Sequence, residues 1–187
     1  SRRQTVQKVA DDTAAMAPKV REALAELLGD IGSVADEAGP DDRKANGRQG
    51  SRSQDVRITS ATRAQPAWSG LEAKWEKVDV ALAELSVALT HLLTALDDLD
   101  QADLPGYEGL LVETAEAFQA NDQMRARMAE FFPHPNKDSV YWVARSARQG
   151  RRPPELSLNA APLHVGATLE DMVYSRTGTV VMTSATL

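Results

Sequence analysis

The fold is decided by residues 71–99, which read LEAKWEKVDVALAELSVALTHLLTALDDL. The apolar residues of this stretch recur at alternating spacings of four and three: Leu71, Trp75, Val78, Leu82, Leu85, Leu89, Leu92, Leu96 and Leu99. A seam with this heptad period predicts a long helix over 66–100 that packs along other long helices. Ser69 and Glu72 fit a capping-box pattern just ahead of the run. The seam could join two chains, but the helices available elsewhere in the sequence favour packing within one chain.

Two further helical regions flank this seam. Residues 2–35 have helical periodicity, and Pro18 either kinks one helix or lies in the first turn of a second one. Residues 107–131 form another predicted helix, and the short acidic loop before it makes the two helices antiparallel neighbours. Residues 39–55 contain no aromatic residue and no aliphatic residue larger than Ala45, so we predict a mobile loop there.

From residue 139 onward the pattern changes from helical to mixed. Residues 139–145 and 156–162 are predicted strands joined by a hairpin connection, and a helical period covers 167–175. Residues 179–183 (TVVMT) predict a buried strand, so that strand, helix and strand form a βαβ unit of a larger parallel sheet. The predicted fold class is therefore mainly α. An antiparallel helix bundle covers 1–138, and a small α/β piece covers 139–187.

Composition excludes several kinds of site. The chain has 187 residues, a net charge of −6 and no cysteine. The acidic balance argues against an autonomous nucleic-acid binder, and the lack of cysteine excludes an iron–sulfur cluster or cysteine-ligated zinc held by this chain. Its three histidines are far apart in sequence, so we expect no metal site. No apolar run approaches the roughly 20 residues of a membrane span, so no membrane partner is expected.

The end of the chain carries the most specific motif. A tyrosine–tryptophan strand is followed by LNAAPLHVG at 158–166, by a helix, and by a strand that ends in TSATL at 183–187. In this order, residues 139–187 resemble the stretch that leads into motif III of the bacterial DinG helicases, which are related to XPD in superfamily 2. The resemblance directly covers about a quarter of the chain. In this family a mostly helical insertion, the arch, precedes motif III, and residues 1–138 fit that place.

The resemblance implies an activity for a parent protein, which would be an ATP-dependent 5′ to 3′ DNA helicase in the cytoplasm. Its cofactors would be ATP and Mg²⁺, with a 4Fe–4S cluster in many members. Its partners would be single-stranded or forked DNA and the remaining helicase domains of the same chain. The present sequence contains no glycine–lysine phosphate loop and no Asp-Glu-Ala-His box. We therefore assign no cofactor to this chain and expect it to be catalytically inactive by itself.

Two sets of candidate site residues follow. The resemblance implies that motif III couples ATP hydrolysis to unwinding through Thr183, Ser184, Ala185 and Thr186. The DNA-contact candidates are the basic residues of the hairpin connection and a neighbouring aromatic residue: Arg145, Arg148, Arg151, Arg152 and Trp142. The alternatives remain open: a solvated hairpin with its aromatic residues in the core, and a helical protein-interaction domain in which the Ser-Ala-Thr match is accidental.

Overall fold

The computed structural model describes residues 2–38, 54–99, 105–146, 155–179 and 181. The helices are α1 (Arg2–Ala14), α2 (Met16–Ala38), α3 (Ser60–Arg63), α4 (Pro66–Asp97), α5 (Tyr107–Phe131) and α6 (Gly166–Met172), and a single 3₁₀ turn covers Tyr174–Arg176. The strands are β1 (Gln54–Ile58), β2 (Ser139–Arg145) and β3 (Leu156–Pro162). The protein is therefore mainly helical with a small sheet, and the predicted fold class is confirmed.

Helix α4 is the centre of the helical part. Helices α1 and α2 pack along one side of it and α5 packs along another. The heptad seam faces these neighbours: Leu71, Val78 and Leu82 are almost completely buried, and Leu85 is partly buried. Because the seam packs against helices of the same chain, its intramolecular interpretation is confirmed. The predicted helical region is divided into two helices, α1 and α2. Pro18 therefore lies in the first turn of α2, where its missing N–H is tolerated.

The predicted capping box of α4 is wrong. The helix begins at Pro66, three residues before Ser69, because proline fits the first helical turn, where its missing N–H and fixed φ cost nothing. Glu72 instead accepts a hydrogen bond from the Trp68 indole nitrogen, at 3.0 Å. A capping box is present one helix earlier, at the start of α3, where Thr59 and Thr62 exchange side-chain-to-backbone hydrogen bonds.

The three strands form one antiparallel sheet in the order β1-β2-β3. The predicted hairpin between residues 139–145 and 156–162 is confirmed, with Trp142 opposite Asn159 in the register. Strand β1 was not predicted, and it overlaps the end of the predicted loop at 39–55. It forms because Val56 and Ile58 alternate with polar residues and bury against the helices. The rest of that loop, 39–53, lies outside the described residues.

The sequence also predicted a parallel βαβ unit, and the described residues show a different sheet. The predicted unit joined residues 156–162, now β3, through a helix to a parallel strand at 179–183. Among the described residues β3 pairs only with β2, and that pairing is antiparallel. Thr179 and Val181, within the predicted strand 179–183, have no strand conformation, and the other residues of that segment lie outside the described part of the chain. Helix α6 is present, but among the described residues it packs mainly against the 3₁₀ turn that follows it.

One hydrophobic core contains residues of both the helices and the sheet. It combines Leu27 and Ile31 of α2 and the α4 seam with Val56 of β1 and Val143 of β2. Because β1 comes from the first 138 residues, the predicted arch region and the predicted return segment share this core.

The sequence led us to expect no apolar run long enough to span a membrane, and α4 departs from that expectation. By length and composition α4 is apolar enough to cross a membrane, with a mean hydropathy of 1.5 over its best 18-residue window. A central core helix passes the same test, and the α4 seam is covered by α1, α2 and α5. Only 17% of that window is fully buried, however, so α4 also presents apolar residues away from its helical neighbours.

Candidate nucleic-acid interface

The two faces of the sheet differ in what they contact. Because successive side chains of a strand point to opposite faces, Tyr141 and Val143 share the face that packs on the helices, and both are buried. Trp142 lies between them in sequence and therefore on the opposite, outer face. The register places Arg57 of β1 on one side of Trp142 and Asn159 of β3 on the other. We call Arg57, Trp142 and Asn159 the outer-face row.

Trp142 differs from the other two tryptophans. Trp68 and Trp75 belong to the core, with only 1% and 3% of their surface exposed. Trp142 is half-buried and belongs to neither hydrophobic cluster. Among the described residues its indole makes no hydrogen bond and stacks on no other ring. A partly exposed aromatic ring can stack on a flat ligand.

The neighbours of Trp142 add charge and polarity. Arg57 is exposed at the outer face, and no ion pair of its guanidinium is found in the described part of the chain. The Asn159 side-chain amide donates to Ser157, at 3.2 Å to the main-chain oxygen and 3.1 Å to the hydroxyl. This pair of bonds holds the Asn159 side chain along its own strand. The row therefore combines a cation, an aromatic plane and an amide across neighbouring strands.

Of the DNA-contact candidates predicted from the sequence, the structure describes Arg145 and Trp142, and these two lie on opposite faces of the sheet. Arg145 ends β2 and, by alternation, shares the face of Tyr141 and Val143 rather than the face of Trp142. Arg148, Arg151 and Arg152 lie outside the described residues. The alternative that places the aromatic residues of β2 in the core holds for Tyr141 only. Arg57 and Asn159 were missed, although the alternation of Val56 and Ile58 in QDVRI would have placed Arg57 on an outer face.

The residues assigned to motif III cannot be placed. Thr183, Ser184, Ala185 and Thr186 lie outside the described residues. Their functional role remains a prediction from the resemblance.

The segment just before them carries an apolar surface. Large apolar side chains are exposed on α6 and on the residues around it: Leu163, Val165, Leu169, Met172, Val173 and Val181. Exposed apolar residues that gather on a folded protein commonly mark contact surfaces, and these six lie within the stretch that resembles the helicases. We call these six residues the carboxyl-terminal apolar surface.

The described residues contain no metal centre. No group of three or more potential ligands comes together in residues 2–38, 54–99, 105–146 or 155–179. His91, His134 and His164 stay apart.

Comparison with known proteins gives no match to a family model, to a curated protein or to a solved structure.

Proposed function

We propose that this chain is the arch and return segment of an ATP-dependent DNA helicase of the DinG type, and that its outer sheet face contacts single-stranded DNA. The observation that carries the proposal is Trp142, whose indole lies outside the core on a sheet face and beside Arg57. Single-stranded nucleic acids are held by aromatic rings that stack on bases and by cations that hold phosphates. The row has both kinds of group at neighbouring positions.

The surrounding sequence adds to the basic character of this region. Residues 140–187 carry five arginines against three carboxylates, a net charge of +2, whereas residues 1–139 carry −8. DNA affinity rises with the number of phosphates that lysine and arginine neutralise. A single strand of DNA is therefore attracted to the carboxyl-terminal part of the chain and repelled by the helical part.

The carboxyl-terminal apolar surface has a role in the same proposal. In a helicase the segment before motif III continues into a motor domain, and an apolar surface there would pack on that domain. Burying an exposed valine or leucine side chain contributes about 1.5–3 kcal/mol. In this proposal the remaining helicase domains would hold ATP and Mg²⁺ and would supply the motor activity.

A competing function is a helical protein-interaction module, which the acidic charge of the helical part favours. The two functions differ in their use of Trp142. A module that binds proteins through its helices has no need of the outer sheet face, whereas a DNA-guiding element loses affinity when that face is altered.

The test is a comparison of variants of the full-length protein in single-stranded DNA binding, measured by fluorescence anisotropy at fixed salt. Trp142→Ala should weaken binding by at least about fivefold, since one stacked base contributes about 1–3 kcal/mol. Trp142→Phe should retain most of the affinity, and Arg57→Ala should reduce the slope of log affinity against log salt by about one. Arg127→Ala, at an exposed position on α5, is the matched control. Equal affinity of Trp142→Ala and wild type would contradict the proposal.

A further inference from the structure

Helix α4 carries a second apolar stripe that its helical neighbours leave uncovered. Val80 and Val87 are 58% and 56% exposed, one heptad apart on the side away from the buried seam. Together with Val9 of α1 and Met16 of α2 they line a groove of about 600 Å³. We call this feature the α4 groove. Its volume falls within the range of about 300–1,000 Å³ that is typical of ligand sites.

The rim of the groove is acidic. Asp12 and Glu84 line it, and neither carboxylate has a cationic partner among the described residues. Asp79 also lines it, but Arg125 neutralises this residue through two hydrogen bonds of 2.5 and 3.2 Å. His91 lies at the other end. The uncompensated charge of the rim is therefore negative.

This charge decides between the candidate occupants. Nucleic acid and anionic lipid would bring phosphates against Asp12 and Glu84, which is unfavourable. A second copy of this chain would place the same acidic rim against itself in a two-fold interface. A helix with an apolar face and flanking lysines or arginines satisfies both the apolar floor and the acidic rim.

We propose that the α4 groove binds a basic amphipathic helix of a partner protein. The stretch of α4 from Val80 to His91 is about 16 Å long at 1.5 Å per residue, which accommodates about three helical turns. Apolar side chains at i, i+3 or i+4, and i+7 of the partner pack on Val80, Val87 and Met16. Its cations lie beside Asp12 and Glu84. The site is distinct from the outer-face row and does not depend on DNA binding.

The experiment measures binding of the full chain to a fluorescent helical peptide of leucines at helical spacing with lysines elsewhere. The double variant Val80→Ser/Val87→Ser should bind at least about tenfold more weakly, because it removes the apolar floor at exposed positions. The double variant Asp12→Asn/Glu84→Gln should bind about threefold more weakly and with less salt dependence. Val112→Ser, on an α5 position that is 55% exposed, is the matched control and should bind as wild type does.

A second peptide with glutamates in place of the lysines tests the role of charge, and it should bind at least about tenfold more weakly than the first. Equal binding of the first peptide by Val80→Ser/Val87→Ser and by Val112→Ser would overturn the proposal, because the peptide would then be held by overall charge alone. Self-association of the chain or binding to neutral lipid vesicles, if lost in Val80→Ser/Val87→Ser, would also overturn it in favour of another occupant.

Discussion

The guanidinium carbon of Arg63 lies 4.7 Å from the ring centroid of Trp68. The same guanidinium is 5.3 Å from the ring of Tyr141 and 5.9 Å from that of Phe131, and its Nη1 donates to the Phe132 carbonyl oxygen at 3.1 Å. Burial lowers the pKa of Arg63 below its usual value. One side chain on the short helix α3 thereby ties α4 and α5 to β2, at the junction of bundle and sheet.

Replacing Arg63 should therefore loosen this junction. Arg63→Ala removes cation–π contacts and a hydrogen bond to a main-chain carbonyl, and we expect it to lower the free energy of unfolding by about 1–3 kcal/mol. Arg63→Lys should recover only part of this loss, since an ammonium lacks the planar fork of a guanidinium. Urea unfolding measures the effect, with the exposed Arg127→Ala as control, expected within about 0.5 kcal/mol of wild type. Similar values for Arg63→Ala and Arg127→Ala would contradict the role assigned to Arg63.

Asn121 makes a buried polar contact between α5 and α4. Its amide nitrogen donates to the Leu82 carbonyl oxygen at 2.9 Å and to the Ser86 hydroxyl at 2.7 Å, and the side chain is buried. Asn121→Asp replaces this donor with a carboxylate that faces an acceptor. We expect it to lower the free energy of unfolding at pH 7 by at least about 2 kcal/mol.

The pH dependence of this variant has a definite sign. A buried carboxylate beside an acceptor has a raised pKa in the folded protein, so the protonated form is the one that stabilises the fold. The deficit relative to wild type should shrink as pH falls towards about 4, where the carboxyl can donate, and grow as pH rises through the folded-state pKa. Asn121→Ala, whose deficit should not change with pH, is the control. Parallel deficits of the two variants between pH 4 and 7 would contradict this account.

The raised pKa of Tyr141 leads us to expect a loss of protein stability at alkaline pH. Burial raises its pKa above the ordinary value of 10.0, and the hydrogen bond that its hydroxyl donates to Glu130 at 2.8 Å acts in the same direction. Because the folded-state pKa exceeds the unfolded one, this stabilisation is complete below pH 10 and is lost as pH rises through the folded-state pKa. Wild type should therefore lose more stability above pH 10 than Tyr141→Phe does. Identical alkaline profiles by urea unfolding would show that the Tyr141 hydroxyl contributes nothing.

Much of the helical part could be predicted from sequence because α4 repeats one simple pattern. The heptad positions from Leu71 to Leu99 define the buried face whatever the neighbours are. Local signals were less reliable. Ser69 and Glu72 have the right spacing for a cap, but Pro66 starts the helix earlier. The capping box at Thr59 stood next to no long apolar run and was not recognised.

The sheet was harder to predict because its strands depend on distant partners. Strand β1 has only Val56 and Ile58 as apolar residues, and it is stabilised by pairing with a β2 strand far along the chain. The face that Trp142 occupies also depends on this register, so sequence alone left it open whether the indole is in the core. The outer-face row therefore emerged only from the strand pairing, while its link to DNA remains a proposal.

Motif III provides a prediction for the full-length protein. Ser184→Ala together with Thr186→Ala removes two hydroxyls with little change in volume. If the motif couples nucleotide state to strand movement, ATP hydrolysis should persist while unwinding falls several-fold, since each lost hydrogen bond contributes about 0.5–1.5 kcal/mol. The measurement is the number of base pairs unwound per ATP hydrolysed. A parallel fall of both activities would instead assign the hydroxyls to the hydrolytic site.

Strand separation with the full-length protein tests the proposal that this chain is part of a DinG-type helicase. The substrates are two DNA duplexes of identical sequence, one with a 5′ single-stranded tail and one with a 3′ tail, each incubated with ATP and Mg²⁺. We expect ATP-dependent unwinding of the 5′-tailed duplex, little unwinding of the 3′-tailed one, and ATP hydrolysis stimulated by single-stranded DNA. Absence of both DNA-stimulated hydrolysis and unwinding would contradict it.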